Sequence, residues 1–584
     1  MAKIKALSTI APLCVKAVEK LVAQVSNLLY DSASRLRFPR KNEESRDLYV
    51  LGIVNRRYSR LQTCATLLVL LLGSWLSLAA LRAEAAAPGK AEHIVVVVWD
   101  GMRPDFITPQ YTPTLYRLAA GGVFFKNHHP VYVSSTEVNG TALATGVYPK
   151  RSGIMANSDY RPEIGWLGPN ATEGVEAIRR GDLLSEGNYI LVPTVAEILQ
   201  KAGYPTVVAG TKPVALLQDR SAKRAPGAAT DSVMLYRGHT IPRTALPPLV
   251  KLNDDKDFPT NTAHPNVAAD AWTTKSLTQG LWKKEVPKFT LLWLSEPDAS
   301  QHENGPGSDT AISALESSDK NLEKVLKVLD DRKIRDKTDV FVVSDHGFST
   351  IQRGPDVTDI LKKAKFKAFK KFEDPEDGDV MVVGLGGSVS LYVFGHDEKT
   401  IHRLVEFLQT SDFAGVIFTR IPVEGAFPIE QVRIGTSNSL PDVLVAMRWS
   451  AEKSDFGTPG MLVAEGGKKG KGSHASLSHF DMHNTLVAGG PDFKKGMIDE
   501  LPSGNADVAP TILYLLGIAP PSPMDGRVLD EALANGTASA AKPITTTIEA
   551  TRDWALFHWY QYLKFTEYAG TIYFDEGNGA PTPK

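Results

Sequence analysis

Runs of β-branched and aromatic residues, separated by helical patterns, constrain this chain more than any other feature. His93-Ile-Val-Val-Val-Val-Trp99 has no polar alternation, so a strand built from it must be buried on both faces. Phe289-Thr-Leu-Leu-Trp-Leu294 and Asp339-Val-Phe-Val-Val343 read the same way, and Thr206-Val-Val-Ala209 is a shorter version. Thr112–Ala120, Thr194–Ala202 and the long amphipathic Ala311–Leu329 carry a helical period between them. This alternation predicts an α/β fold, a mainly parallel central sheet with helices on both faces. Residues 150–190 and 212–285, rich in Pro, Gly, Asn and Asp, read as loop insertions over the sheet. Ligands of open α/β sheets bind beyond the carboxyl ends of the strands, so these insertions are candidate pocket walls. Near Leu391-Tyr-Val-Phe394 the runs become short and β-like. Gly466–Gly472 reads as a loop, and Ala506–Leu516 as a helix ended by Gly517. The tail 531–584 carries no assignment beyond an apolar Thr571-Ile-Tyr-Phe574.

At 584 residues the chain has room for several domains or one large, elaborated one. Its longest apolar segment, Thr63–Leu81, follows Arg56, Arg57 and Arg60 and precedes Ala83-Glu84-Ala85, the order of an export signal. The division is then a basic stretch 1–62, a signal peptide or signal anchor 63–86, a catalytic domain 90–530 and the tail. Cleavage, with a true start near Val54, is the preferred reading over retention as an anchor. Either places the body outside the cytoplasm, periplasmic or secreted, with membrane contact only through 63–86. The two cysteines, Cys14 and Cys64, both lie in the N-terminal region, so the body has no thiol chemistry. Residues 1–85 hold 13 Lys/Arg against 6 Asp/Glu, which leaves 52 basic and 60 acidic residues beyond them, near −8. A surface of that sign does not dock a nucleic-acid polymer, whose binding needs an excess of cations.

Acidic residues and histidines follow the strand runs. Asp100 comes directly after the first. Asp298 and His302 follow another in Glu296-Pro-Asp-Ala-Ser-Gln-His302, Asp345-His346 a third, and His474 lies in Gly472-Ser-His. Any one has an ordinary explanation, since an Asp after a strand is commonly a helix cap or turn residue. His474 alone is no stronger than His128, His129, His479 or His483. Together, three aspartates and three histidines form a ligand set that suits zinc or a similar divalent transition metal.

The order Asp100-Gly, Thr136-x-x-Asn139 before Ala-Thr-Gly-Val-Tyr-Pro149, Glu296-Pro-Asp-x-x-x-His302-x-x-Gly-Pro306, Ser344-Asp-His-Gly-Phe348 and Gly-Ser-His474 resembles the nucleotide pyrophosphatase/phosphodiesterase family of the alkaline-phosphatase superfamily. The resemblance covers residues 92–160, 290–350 and 470–530, about a third of the chain. It implies an alkaline-phosphatase-like fold with loop or cap insertions. It also implies two zinc ions, one on Asp298, His302 and His474, the other on Asp100, Asp345, His346 and the Thr136 hydroxyl. Thr136 would be the nucleophile, selected over Ser134 and Ser135 by family spacing, and would form a phosphorylated-threonine intermediate. Two cations about 4 Å apart suit in-line phosphoryl displacement. A helix beginning at Thr136 would favour an anion there. Asn139, three residues on, would share that face and donate to a phosphoryl oxygen. Without the ligand set, Thr136 is an ordinary N-cap.

The implied activity is hydrolysis of phosphodiester or pyrophosphate bonds in small nucleotide-like or other diesters. Two departures bear on it. Ala475 follows the last histidine where relatives commonly have Gly, and Glu137-Val138 replaces the Phe-Pro that commonly follows the nucleophile. The missing Phe weakens the case for a stacked base. Phosphonate hydrolysis and phosphomonoester hydrolysis are the neighbouring alternatives, the latter needing an Arg such as Arg151 to fold back. A sulfatase motif is absent. From another class, the chain could be an exported binding protein with a retired site, although no ligand or nucleophile is missing.

Overall fold

A computed structural model of the chain describes residues 89–220, 231–260, 264–435 and 439–584. Its centre is a nine-stranded sheet. In chain order the strands are β1 (His93–Trp99), β2 (Val123–His129), β3 (Thr206–Gly210), β4 (Val233–Tyr236), β5 (His239–Ile241), β6 (Phe289–Leu294), β7 (Thr338–Val343), β8 (Leu486–Gly489) and β9 (Met497–Gly504). They lie side by side as β9-β2-β8-β7-β1-β6-β3-β4-β5. The pairs from β7 to β4 are parallel, while β8 runs against both neighbours and β5 closes the other edge antiparallel. The mainly parallel α/β sheet expected from the β-branched runs is present.

The lack of polar alternation in β1 is explained by two cores. Ile94, Val96 and Val98 face one, with Leu143, Ile198, Leu199, Val508 and Ile512 from helices. Val95, Val97 and Trp99 face the other, with Leu115, Leu118, Leu315, Leu322 and Val325. The helices that matter below are α1 (Pro113–Gly121), α2 (Thr136–Thr145), α3 (Asp298–Asn304), α4 (Asp309–Asp331) and α5 (Asn505–Leu515). α2 and α5 cover the first face, α1 and α4 the second. Burying each such valine is worth roughly 1.5–3 kcal/mol, so the strands that carry the functional residues are anchored on both faces.

The stretch 212–285, read as loop insertion, supplies β4 and β5 to the sheet edge and the helix Val267–Lys275, whose Trp272 joins the second core. Residues 150–190 contain the helix Val175–Leu184 and a short hairpin pairing Ser158 with Ala171. The β-like text near Leu391 folds into a six-stranded sheet. Its order is Ala368–Phe369, Val380–Gly384, Ser388–Val393, Val443–Met447, Ala414–Thr419 and Phe427–Pro428. Helix Glu398–Gln409 covers one of its faces. The other packs on Tyr132, Ala475 and Leu477 and on Leu563, Phe565 and Phe574 of the tail. That tail is a three-stranded antiparallel sheet, Ile544–Asp553, Phe557–Tyr568 and Thr571–Pro583. Pro88–Lys584 is one compact unit. The export segment 63–86 and the stretch before it lie outside the described residues. Among the described residues no helix is long and apolar enough to cross a membrane.

Asp339, near the start of β7, is fully buried, and its Oδ1 accepts the backbone N–H of Asp492 at 3.2 Å. Asp492 in turn holds the N–H groups of Lys90 and Ala91 at 2.6 and 2.8 Å. Burial and the Asp492 carboxylate push the Asp339 carboxyl from 3.8 up to about 8. The folded chain therefore keeps a proton that the unfolded chain releases near pH 4. Stability should fall as pH rises from about 4 to about 8, with a slope of at most about 1.4 kcal/mol per unit. Asp339→Asn keeps the acceptor and should flatten this fall. Urea unfolding at about pH 5 and about pH 7.5 reads it, and an unchanged slope in the variant would refute the assignment.

Candidate active site

Three adjacent parallel strands end level with one another. Trp99 of β1 lies beside Leu294 of β6, and Val98 beside Val343 of β7. The residues just past those ends, Asp100, Asp298 and Asp345, are thereby brought to one place. Asp298 donates its N–H to Asp100 O at 2.9 Å, and Gly101 donates its own to Asp345 Oδ1 at 2.9 Å. Gly101 has φ of +70°, and a Cβ there would stand 2.9 Å from the Phe348 ring, so this turn needs glycine. His302 is one helical turn beyond Asp298 on α3, with its Nε2 3.2 Å from Asp298 Oδ1. His474 arrives from a different part of the chain. Ser349, just beyond Asp345-His346, pairs antiparallel with Ser473, and this lays the His474 ring on the His346 ring at 3.7 Å. Ala475 takes φ of +71°, the strained left-handed turn expected where relatives have glycine.

Backbone carbonyls fix how the three histidines face the cluster. His302 Nδ1 donates to Gly472 O at 3.1 Å, His346 Nδ1 to Gly347 O at 2.9 Å, and His474 Nδ1 to Ser134 O at 2.9 Å. A carbonyl only accepts, so each Nδ1 carries the hydrogen and each Nε2 presents a lone pair. Those lone pairs face other acceptors. His302 Nε2 and His474 Nε2 are 3.2 Å apart, and His474 Nε2 is 3.7 Å from Asp298 Oδ1. His346 Nε2 is 3.3 Å from Asp345 Oδ2 and 3.7 Å from Asp100 Oδ1. Asp100 Oδ1, Asp298 Oδ1 and Asp345 Oδ2 are buried and have no hydrogen-bond partner. Buried acceptors gathered without donors are costly unless cations lie between them, so this donor set fits divalent metal ions. Asp298, His346 and His474, and likewise Asp100, Asp345 and His346, bring ligand atoms within 4.8 Å of one another.

Thr136 opens α2, and its hydroxyl is 3.2 Å from His346 Nε2. Of its rivals, Ser134 donates to Ser476 O at 2.8 Å, and Ser135 Oγ is buried without a partner. Asn139 does not have the free amide expected of it. α2 is buried along its whole length, and the Asn139 Nδ2 donates to the carbonyls of Val131, Val133 and Ser135. Its Oδ1 accepts from Val131 N and Asn505 Nδ2. Asn139 thus shapes the loop ahead of Thr136, and that expectation is corrected. The amide at the start of α2 that remains free to donate belongs to Asn157. It is half-buried, its Oδ1 accepts from Glu137 N at 3.2 Å, and its Nδ2 makes no hydrogen bond among the described residues.

Lys212 was also missed. It follows β3, and its Nζ reaches Asp298 Oδ2 at 2.9 Å and Asp100 Oδ2 at 3.0 Å. Trp293 Nε1 adds 2.8 Å to the same Asp100 oxygen. One oxygen of each carboxylate is thus held by donors and the other left for a cation. Burial opposes the Lys212 charge, but Asp100, Asp298 and Asp345 outweigh it and hold the ammonium well above its ordinary range. Applying the strand-exit argument to Gly210-Thr-Lys212 would have found it. Glu137 lies beside Glu173 near this lysine, both with a buried carboxyl oxygen lacking a partner.

The sequence profile of type I phosphodiesterases / nucleotide pyrophosphatases matches residues 94–449. Those residues include Asp100, Thr136, Asp298, His302, Asp345 and His346, while His474 lies beyond them. Mouse ectonucleotide pyrophosphatase/phosphodiesterase family member 1 is 25% identical over 251 residues, 42% of this chain and 23% of that protein. Venom phosphodiesterase CdcPDE of Crotalus durissus collilineatus is 23% identical over 261 residues, 44% of this chain and 26% of the relative. The chain thus spans about a quarter of the length of these curated relatives. The solved structure of murine ectonucleotide pyrophosphatase/phosphodiesterase 5 in complex with AMP shares the fold. Its TM-score is 0.52 at 18% identity, covering 76% of this chain and all of that one.

Lys212 is 22% exposed, so its loss should cost metal-stripped protein about 2 kcal/mol, below the about 3–5 kcal/mol of a fully buried pair. With divalent metal present the loss should shrink, because the carboxylates keep a counter-charge. Denaturant unfolding of Lys212→Ala with and without chelator tests this. Equal losses in both conditions would remove Lys212 from the charge balance of the site.

Proposed function

The chain belongs to the type I phosphodiesterase / nucleotide pyrophosphatase family, and from that premise we propose that it hydrolyses phosphodiester or pyrophosphate bonds with Thr136 as nucleophile and divalent metals as cofactors. One observation carries the reading. Three histidine lone pairs and three partnerless carboxylate oxygens converge beside one threonine hydroxyl. In this proposal Asp298, His302 and His474 hold one ion, while Asp100, Asp345 and His346 hold the other next to the Thr136 oxygen. Zinc is the ion this mixture of nitrogen and carboxylate ligands favours. Bound there, such ions would neutralise phosphoryl charge and lower the proton affinity of the hydroxyl.

The rest of the work falls to the chain. Thr136 Oγ, giving up its proton, attacks phosphorus as the ester or anhydride P–O bond breaks and the first product leaves with a proton. Water then cleaves the phosphothreonine, releasing the second product and restoring the hydroxyl. The first turn of α2 points its N–H groups at the incoming anion. The Asn157 amide, held by Glu137 N, donates to a phosphoryl oxygen as charge builds there. Lys212 balances the outer carboxylate oxygens. Arg151, the residue a monoesterase reading would recruit, is engaged by Asp525 Oδ1 at 2.8 Å and Pro523 O at 2.7 Å, which favours diesters. The AMP complex of the murine neighbour and the acidic body both support a small phosphate ester as substrate over a polymer. Relatives named as ectoenzymes and venom enzymes support a site of action outside the cytoplasm.

Thr136→Ala should cut turnover of bis-nitrophenyl phosphate by about 10²–10³ while leaving bound zinc unchanged. Retention of more than about a tenth of the activity would sink the nucleophile assignment. Equal inertness of wild type and variant, with metal bound in both, would favour the exported binding protein. Asp298→Ala should lose about one zinc equivalent. A panel of nucleotide diester, phosphocholine ester, monoester and phosphonate separates the substrate classes. The two asparagines should part company. Asn157→Ala should lower kcat about 10²-fold with little change in unfolding midpoint, whereas Asn139→Ala should lower the midpoint through its lost backbone bonds. The reverse pattern would restore Asn139 to the chemistry.

A further inference from the structure

Four histidines not used above form two pairs far apart in the sequence, His128 with His129 and His479 with His483, and they regroup in space. His128 and His129 are neighbours at the end of β2 and so point to opposite sides of it. His128 bonds Asn505, whose amide reaches Asp345 O, and belongs with the surroundings of the reaction centre. His129 faces the other way, toward the C-terminal sheet.

There His129, His483 and Asp575 bring one ligand atom each within 4.8 Å of one another. They come from β2, from the loop following His474, and from strand Thr571–Pro583. His129 Nδ1 donates to Ser503 O at 3.0 Å, so Nε2 is the nitrogen that faces Asp575 Oδ1 at 3.0 Å, as an N–H to the carboxylate when the ring is protonated and as a lone pair available to a cation when it is neutral. His483 repeats the arrangement. Its Nδ1 donates to His479 O at 3.0 Å, and its Nε2 lone pair is 3.2 Å from the Asn127 amide oxygen. The His129 and His483 rings are 4.5 Å apart, and His479 stands 4.1 Å beyond His483. His479 Nδ1 is 3.6 Å from Glu576 Oε2, with the imidazole 45% exposed, so the cluster opens to solvent on that side. His129 and Asp575 are buried.

We propose that His129, His483 and Asp575 form a further divalent-metal site, distinct from the catalytic cluster, that ties the C-terminal sheet to β2 and to the 478–484 loop. Two imidazole nitrogens and one carboxylate oxygen, with lone pairs held inward by backbone carbonyls, suit zinc or a similar transition metal. Water, Asn127 or His479 can complete the coordination. The consequence is structural. The 478–484 loop accepts the N–H groups of Gly347 and Phe348 through Asp481 O and Phe480 O, so a metal there would brace the segment that follows His346.

Zinc-loaded wild type and the variants Asp575→Asn and His483→Gln, dialysed against the same free zinc, supply the test by metal analysis. Each variant should hold about one equivalent less than wild type while keeping more than about half of its turnover, since neither residue touches the reacting atoms. Zinc should also raise the thermal midpoint of wild type more than that of either variant. Equal metal content in all three proteins overturns the proposal. So does a midpoint loss that zinc leaves unchanged, the result a simple His129–Asp575 ion pair would give. Because the comparison counts a difference between proteins with intact catalytic ligands, it stands or falls independently of the Thr136 chemistry.

Discussion

The structure depends on a mismatch, since six acceptor groups, most of them buried, are folded into one place with too few donors. A chain gathers Asp100, Asp298, Asp345, His302, His346 and His474 in this way only if something else holds the backbone. That something is the pair of cores on either side of β1, β6 and β7, where alternate residues of a continuous β-branched run are buried on both faces. The sheet gains from hydrophobic burial what the site loses in electrostatic repulsion. Because the three strands are parallel and in register, their carboxyl ends coincide, and the carboxylates meet from positions one to four residues beyond them.

Backbone carbonyls then do what side chains alone cannot. An imidazole can present either nitrogen, and a site that leaves the choice open binds metal poorly. Here Gly472, Gly347 and Ser134 each fix one ring by accepting its Nδ1–H. His346 is set by the carbonyl that follows it, His302 by the segment that delivers His474, and His474 by the loop ahead of Thr136, so the converging segments orient one another's rings. Lys212 and Trp293 complete the arrangement by occupying the outer oxygens of Asp100 and Asp298, which directs the inner oxygens to the cluster.

Much of this was legible because strand burial writes itself into composition. β1, β6 and β7 were readable from valine, isoleucine, leucine and phenylalanine runs, and the residues after them followed by position. α4 and α5 were readable from their period. What stayed hidden lacked such a signature. β4 and the edge strand β5 have four and three residues inside a Pro- and Asn-rich stretch, too short to show a pattern. The C-terminal strands are amphipathic and threonine-rich, and their inward faces become meaningful only beside the six-stranded sheet. The error at Asn139 has a specific cause. Three residues along a helix share a face only toward the same neighbour, and α2 is enclosed on all sides, so Asn139 meets backbone where Thr136 meets the site. Asn157 lies 21 residues from Thr136 in a loop, and only the Glu137 N–H that holds it marks its role.

Glu137 shows how the two readings fit together. From the sequence it is an acid in place of a stacking ring, set where a helix N-terminus should welcome an anion, and an ionised carboxylate there would repel a phosphate. In the fold it is buried against Glu173, and burial together with that second carboxyl pushes it well above its ordinary range, with Lys212 opposing only in part. Holding its proton more tightly, a carboxyl so placed sets a smaller Coulomb penalty against an incoming anion than a freely ionised one would. An acid in place of the stacking ring is therefore compatible with the proposed phosphoryl transfer and removes one contact for a base. Chemistry resides at the strand ends, and selectivity in the elements folded over them.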